Sequence, residues 1–215
     1  MAGVTTGNLS TLLTRLQTRD RKVFIDLKVP ADIGNTIGSM VRDLCGTNVK
    51  FLTINEHMPV ETIRAARAAR GANAEPKLLM VPYLSSLDGS KDLHEVYGEK
   101  DFESFLLKRA KTAIDAGCDG LIASGNAIAL FRAAFPNIPI VSPGIRPVGA
   151  SHDDHKRFTT PAQAIKLGAD YLVVGRPILK APNLREAARQ VIAEIDEALE
   201  DGTHHHAEPS VAHPR

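Results

Sequence analysis

From residue 21 onward, short β-branched runs alternate with longer stretches of helical period, and this alternation restricts the fold more than any other feature of the chain. The runs are KVFIDLKV (22–29), VKFLTI (49–54), KLLMVPYL (77–84), DGLIAS (119–124), IPIVS (138–142) and YLVVG (171–175), and they predict six strands. Between them Phe102, Phe105, Leu106, Ala110, Ala113 and Ile114 recur every three or four residues. Near the end Leu184, Ala188, Val191, Ile192, Ile195 and Leu199 do the same, so both segments predict amphipathic helices covering a sheet. Leu9, Leu12, Leu13 and Leu16 predict a further helix at about 8–19, ahead of the first strand. Strict alternation implies parallel strands with right-handed crossovers, in an open doubly wound sheet or in a closed (β/α) barrel. No internal sequence repeat stands out beyond the alternation itself.

The first strand favours the barrel. Its odd positions Val23, Ile25, Leu27 and Val29 are apolar and suit the helix-facing side, whereas Lys22, Phe24, Asp26 and Lys28 share the other. Opposite charges on one face of a buried strand are costly under helices but are at home in the mouth of a barrel. A full barrel takes eight strands and about 250 residues, so the expectation is a (β/α) TIM-type barrel that is incomplete at its N-terminus, with about six of the eight strands. Residues 1–200 read as one domain. Residues 201–215 read as a disordered polar tail, whose three consecutive histidines lack the fixed geometry of a metal site.

Composition narrows the partners. Hydrophobic residues are 43% and charged residues 24%, a globular balance, and no apolar run approaches the ~20 residues of a membrane helix. Lys plus Arg number 26 against 25 Asp plus Glu, which gives no overall attraction to nucleic acid or an anionic membrane. An anion must therefore meet a local site. Cys45 and Cys118 are too few for a disulfide scaffold, and MAGVTTGNLS has no secretory pattern, so a cytoplasmic location is expected.

Asp26 and Lys28, with Asp32 just after the strand, form a charge network able to donate a proton or repel a bound anion; the plainer reading is an ion pair sealing the rim. Two loops point to phosphate. SPGIRP (142–147) sets Pro143 and Gly144 after the fifth run, and VVGRPI (173–178) sets Gly175 and Arg176 after the sixth; glycine admits backbone N–H groups close to the oxygens and arginine adds a charge-assisted contact. Ser85 and Ser86 suit a polar ring or a turn. Thr36 suits a helix cap, and His155 lies on a polar loop long enough to act as a lid.

The segments FIDLKVPADIGNT (24–36), YLSSLD (83–88), SPGIRP (142–147) and DDHKRFTTPAQAIKLGADYLVVGRPI (153–178) together resemble, in order and spacing, the orotidine 5'-monophosphate decarboxylase family, over about residues 7–198. The resemblance implies a cofactor-free (β/α) barrel, usually a homodimer with shared active sites, that decarboxylates the nucleotide orotidine 5'-phosphate to UMP. It assigns Lys28 as proton donor to C6 of the pyrimidine, Asp26 as its partner, and Asp32 to the partner subunit's site with Thr36 as the accompanying ribose contact. Ser86 falls at the pyrimidine-recognising serine, and Gly175 and Arg176 match the phosphate contacts.

The chain departs from the family pattern in four places. It begins near the end of the family's second strand, so a misassigned start or a truncation is expected, with the strand-one Asp and strand-two Lys lacking. Three residues, Val29, Pro30 and Ala31, separate Lys28 from Asp32 where the family has two, and a bulge at Pro30 is expected to absorb the extra one. Asn55 stands where the family often has histidine, and His155 stands for the lid glutamine. Two alternatives are a metal-dependent sugar-phosphate decarboxylase or aldolase of the same superfamily, and a catalytically silent nucleotide-binding remnant.

Overall fold

A computed structural model describes residues 9–29, 33–55, 57–83, 91–148 and 159–201. Within them the six expected strands are present: β1 (Val23–Val29), β2 (Val49–Ile54), β3 (Lys77–Met80), β4 (Gly120–Ile122), β5 (Ile140–Ser142) and β6 (Tyr171–Leu172). All pair in parallel, in the order β1-β2-β3-β4-β5-β6. Every crossover thus advances one place in the same direction. A doubly wound sheet reverses its order at a switch point, so the sequential order selects the barrel winding. The sheet also curls: Lys50 of β2 donates to the Tyr171 hydroxyl of β6 at 3.0 Å, and the Phe51 and Tyr171 rings meet edge to face at 5.0 Å. Strands four places apart touch only in a curved sheet.

Except for β2, the strands are shorter than the apolar runs that predict them. Pairing of β3 stops at Met80 because Pro82 lacks an amide to continue a ladder, although the Val81 amide still donates to the Ile54 carbonyl at 3.1 Å. On the concave side Phe51, Leu79 and Val141 are buried with Phe24 and Ile122 against them. The larger core lies on the convex side, where Leu52, Ile54, Leu78, Leu121 and Ile140 are fully buried against the helices.

Those helices are α1 (Leu9–Gln17), α2 (Gly34–Leu44), α3 (Val60–Arg70), α4 (Lys91–Tyr97), α5 (Phe102–Ala116), α6 (Ala127–Ala134), α7 (Pro161–Lys166), α8 (Arg176–Leu179) and α9 (Leu184–Asp201). The predicted stripe of α5 is buried at Phe105, Leu106, Ala110 and Ala113, and Asp101 caps the helix by accepting the Ser104 amide at 3.1 Å. Helix α9 differs from expectation. It packs on α7 and α8, only Val191 and Ala198 are buried, and Leu184, Ile192 and Leu199 of its apolar stripe are each more than half exposed. The helix runs through Asp201, which pairs with Lys166 at 3.1 Å, so it enters the segment expected as tail; 202–215 lie outside the described residues.

A repeated device pins the N-terminal ends of the strands, although the sequence shows no obvious repeat. Asp119, just before β4, accepts the Leu78 amide of β3 at 2.7 Å and the Arg70 guanidinium at 2.8 Å. Asp170, just before β6, accepts the Ile140 amide of β5 at 2.7 Å and the Arg132 guanidinium at 2.6 Å. In both, the arginine precedes the strand residue by eight positions and the aspartate follows a Gly-x. Gly117 and Gly168 have φ of 111° and 100°, and a Cβ on either would come within 2.8 Å of an arginine side chain, so no other residue fits. Asn48, two after Gly46, makes a neutral version by donating to the Arg21 carbonyl at 2.6 Å.

Arg70 is 3% exposed, so removing its carboxylate strands a buried cation. Asp119→Ala is expected to cost about 3 kcal/mol in chemical denaturation, the lower end for a broken buried pair because Asp119 is partly solvated. Asp115→Ala, which breaks only the exposed i,i+4 pair with Lys111, is expected to cost under about 0.5 kcal/mol in the same measurement.

Candidate active site

A cavity of about 200 Å³ opens at the C-terminal ends of the strands. Asp26 and Lys28 of β1 line it with Tyr83 after β3, Ser124 after β4, Pro143 after β5 and Val173 after β6, and it reaches between the strand ends to Leu106 and Phe131 of the helix layer. The chemistry-bearing end of a (β/α) barrel is this one. A larger cavity of about 410 Å³ lies outside the sheet among Met80, Tyr97 and Arg109 and contains none of the candidate site residues.

Lys28 Nζ lies 2.9 Å from both carboxylate oxygens of Asp26. The pair is not buried: the side chains are 39% and 47% exposed, so it contributes only about 0–1 kcal/mol to folding. Sealing the rim is therefore a poor account of it. Simple alternation does not place it either. Ile25 pairs with Leu52 and Val29 with Ile54, leaving three residues of β1 opposite the single Thr53 of β2. The strand bulges, Lys28 takes φ 47°, and Leu27, expected to face the helices, is 41% exposed. One irregularity thus falls at 26–28, and the bulge expected at Pro30 lies outside the described residues together with Ala31.

Other sequence-predicted residues are spread around the mouth. Gly144 is buried beside Pro143 with φ 75°, a conformation that favours glycine. Gly175 precedes α8 and Arg176 opens it, both half-buried and outside the cavity lining. A Cβ on Gly175 would meet nothing within 4 Å, so protein packing does not demand glycine there. Thr36 is exposed in the first turn of α2, whose N-cap position is Ile33, so it neither caps the helix nor lines the cavity. Asn55 accepts the His57 amide at 2.8 Å and closes the turn after β2. Asp32, Ser85, Ser86 and His155 lie outside the described residues.

Three polar residues escaped sequence reasoning. Thr53 is fully buried, accepts the Lys28 amide at 2.8 Å and donates to Asp26 Oδ1 at 2.9 Å. Its signal was a lone hydroxyl inside the apolar run VKFLTI. Ser124 ends the run DGLIAS and faces the cavity. Arg146 is 6% exposed; one guanidinium nitrogen donates to the Ile145 carbonyl at 2.8 Å and another has no partner among the described residues.

Fold and site together define a (β/α)-barrel protein with an acid–amine pair at its mouth. The chain belongs to the orotidine 5'-phosphate decarboxylase / HUMPS family, whose model matches residues 4–191. It is 43% identical over 192 residues to orotidine 5'-phosphate decarboxylase of Methylobacterium sp. (strain 4-46), covering 87% of this chain and 79% of that protein. It is 41% identical over 188 residues to the protein of the same name from Rhodopseudomonas palustris (strain BisB5), covering 87% and 78%. Among solved structures, orotidine 5'-phosphate decarboxylase from Lactobacillus acidophilus superposes with a TM-score of 0.70 at 27% identity, covering 86% of this chain and 80% of that one. An uncharacterized conserved protein from Geobacillus kaustophilus, at 22% identity and TM-score 0.72, shares the fold, with 88% and 83% covered.

Cys118 is not activated as a nucleophile by its surroundings. Cys118 is buried beside Asp119, and burial first, then that carboxylate, push its thiol from 9.0 up to about 12 against a smaller opposing pull from Arg70. Cys45 is half-buried at the end of α2 and donates weakly to the Val41 carbonyl at 3.2 Å. At pH 8 an alkylating reagent is expected to modify Cys45 readily and Cys118 only on unfolding, as peptide mapping reads directly. Because the folded state holds the Cys118 proton more tightly, its stabilising effect is complete below about pH 9 and drains away toward pH 12, a loss that Cys118→Ala should flatten in denaturation curves.

Proposed function

We propose that this chain converts orotidine 5'-phosphate to UMP and CO2 in pyrimidine biosynthesis, using protein side chains alone. The observation that carries the reading is the half-exposed Asp26–Lys28 pair at the cavity, in a chain more than 40% identical to named orotidine 5'-phosphate decarboxylases across most of its length.

The chemistry follows from that pair. The bond from C6 of the pyrimidine to its carboxylate breaks, CO2 leaves, and the electron pair stays on C6. Without a cofactor to delocalise it, that charge needs a fixed cation, which Lys28 supplies before passing its proton to C6. The neutral amine then recovers a proton from water. Asp26 holds the ammonium in place and presents negative charge to the substrate carboxylate. A cavity of about 200 Å³ is below the ~300 Å³ at which whole small-molecule sites begin, so the base enters it and the ribose phosphate extends over the rim.

The phosphate end falls to Gly175 and Arg176, with Pro143 and Gly144 shaping the neighbouring loop. The open space above Gly175 supports this, since glycine there leaves room for an oxygen to approach the backbone. Binding energy from this remote grip can be used to desolvate the reacting carbon. Asp32 and Thr36 serve the site of a second subunit in a homodimer, which fits the exposure of Thr36. Ser86 reads the pyrimidine and His155 contacts the bound nucleotide. Residues 1–200 act as one domain, with Asp201 ending its last helix ahead of the tail, in the cytoplasm. Among the described residues no helix is long and apolar enough to cross a membrane.

Orotidine 5'-phosphate turnover by the purified chain, followed as UMP formed, tests the reading, and UMP binding without turnover would indicate a silent nucleotide-binding relative. Lys28→Ala is expected to lower kcat by about 10⁴-fold while UMP still binds within about threefold. Arg176→Ala is expected to weaken UMP about 10- to 100-fold and uridine less than twofold by calorimetry; an equal effect on both would remove the phosphate assignment.

A further inference from the structure

We propose that Thr53 is the positioning residue that holds the Lys28 ammonium on target, by fixing the left-handed turn of β1 from the neighbouring strand. The proposal rests on the decarboxylase reading above and adds to it a residue that touches neither base nor phosphate.

A parallel ladder joins backbone to backbone, yet here Asp26, Leu27 and Lys28 face one residue of β2 and cannot all find backbone partners. The Thr53 side chain takes over. A hydroxyl carries one donor and two acceptor sites, and both kinds are used: the oxygen accepts the Lys28 amide at 2.8 Å and its proton goes to Asp26 Oδ1 at 2.9 Å. One buried atom therefore ties the backbone of the amine residue to the side chain of its acidic partner. This matters because Lys28 sits at φ 47°, a region that non-glycine residues rarely occupy and that costs about 1–2 kcal/mol unless held.

Without the hydroxyl, the Lys28 amide and an Asp26 lone pair lose a partner at the wholly buried Thr53 site, and β1 gains by reverting toward a regular ladder. In such a strand the direction of a side chain changes with every residue of slip. Lys28 would then leave the geometry in which both Asp26 oxygens hold its ammonium. Displacement of a reacting group by about 1 Å can cost about 10²-fold in rate.

The test compares wild type, Thr53→Val and Thr53→Ser in kcat and KM for orotidine 5'-phosphate, with UMP titration counting folded sites. Thr53→Val is expected to lose about 10²-fold in kcat per UMP-binding site with KM changed less than about threefold, and Thr53→Ser to return within about threefold of wild type. Wild-type kcat in Thr53→Val overturns the proposal, as does failure of Thr53→Ser to recover. Should Thr53→Val not fold, amide exchange in the unaltered chain decides: Lys28 is expected to exchange at least about 100-fold slower than an unprotected amide, and free exchange overturns the bond. Absence of turnover in the wild type would instead sink the decarboxylase reading, leaving the exchange measurement to judge Thr53 alone.

Discussion

The carboxylates of Asp119 and Asp170 hold the sheet in order, and the rest of the architecture is built up from them. Each is fixed by a backbone amide of the preceding strand and by an arginine from the helix layer, so one short segment joins strand, strand and helix at the N-terminal end. A (β/α) barrel divides its labour along the strand direction, with stability at one end and chemistry at the other. This chain keeps to that division. The buried Arg70–Asp119 pair is at the base, whereas the charged pair at the mouth is half in water and adds little to folding.

That contrast bears on the site. An ion pair worth so little to stability is free to exchange partners when a charged substrate arrives, which a deeply buried pair is not. What keeps the Asp26–Lys28 pair in register is the fully buried hydroxyl beneath it. Order is supplied from below and responsiveness from above, within two adjacent strands.

Much of this was legible from residue pattern. Six β-branched runs gave six strands, and the two charges on an otherwise apolar strand favoured a barrel that the sequential strand order bears out. Other features follow from forces that periodicity does not encode. Alternation assigned Leu27 to the core, but a left-handed residue resets the alternation, and no rule of pattern places lysine at φ 47°. The spacing from Lys28 to Asp32 drew attention to Pro30, whereas the bulge the described residues show lies earlier, at 26–28. Thr53 was hidden because a threonine inside a strand reads as ordinary β-propensity. The paired Gly-x-Asp anchors escaped notice since their arginine partners are eight residues before the bonded strand residue and some forty or fifty residues from the aspartate along the chain. Helix α9 shows the reverse: its periodicity is genuine, yet a stripe says which face is apolar and not what covers it.

The sequential winding also decides how the sheet stops. Among the described residues β1 and β6 each pair on one side only, and beside β6 the apolar side chains of Tyr171, Val173 and Leu179 remain in contact with water. Amide and carbonyl groups along a bare strand margin are a template for any other extended backbone, whether from a proper companion or from an unfolded neighbour. Heating therefore sets refolding against clumping, and the temperature at which the protein turns cloudy will depend on its concentration and on how fast it is warmed.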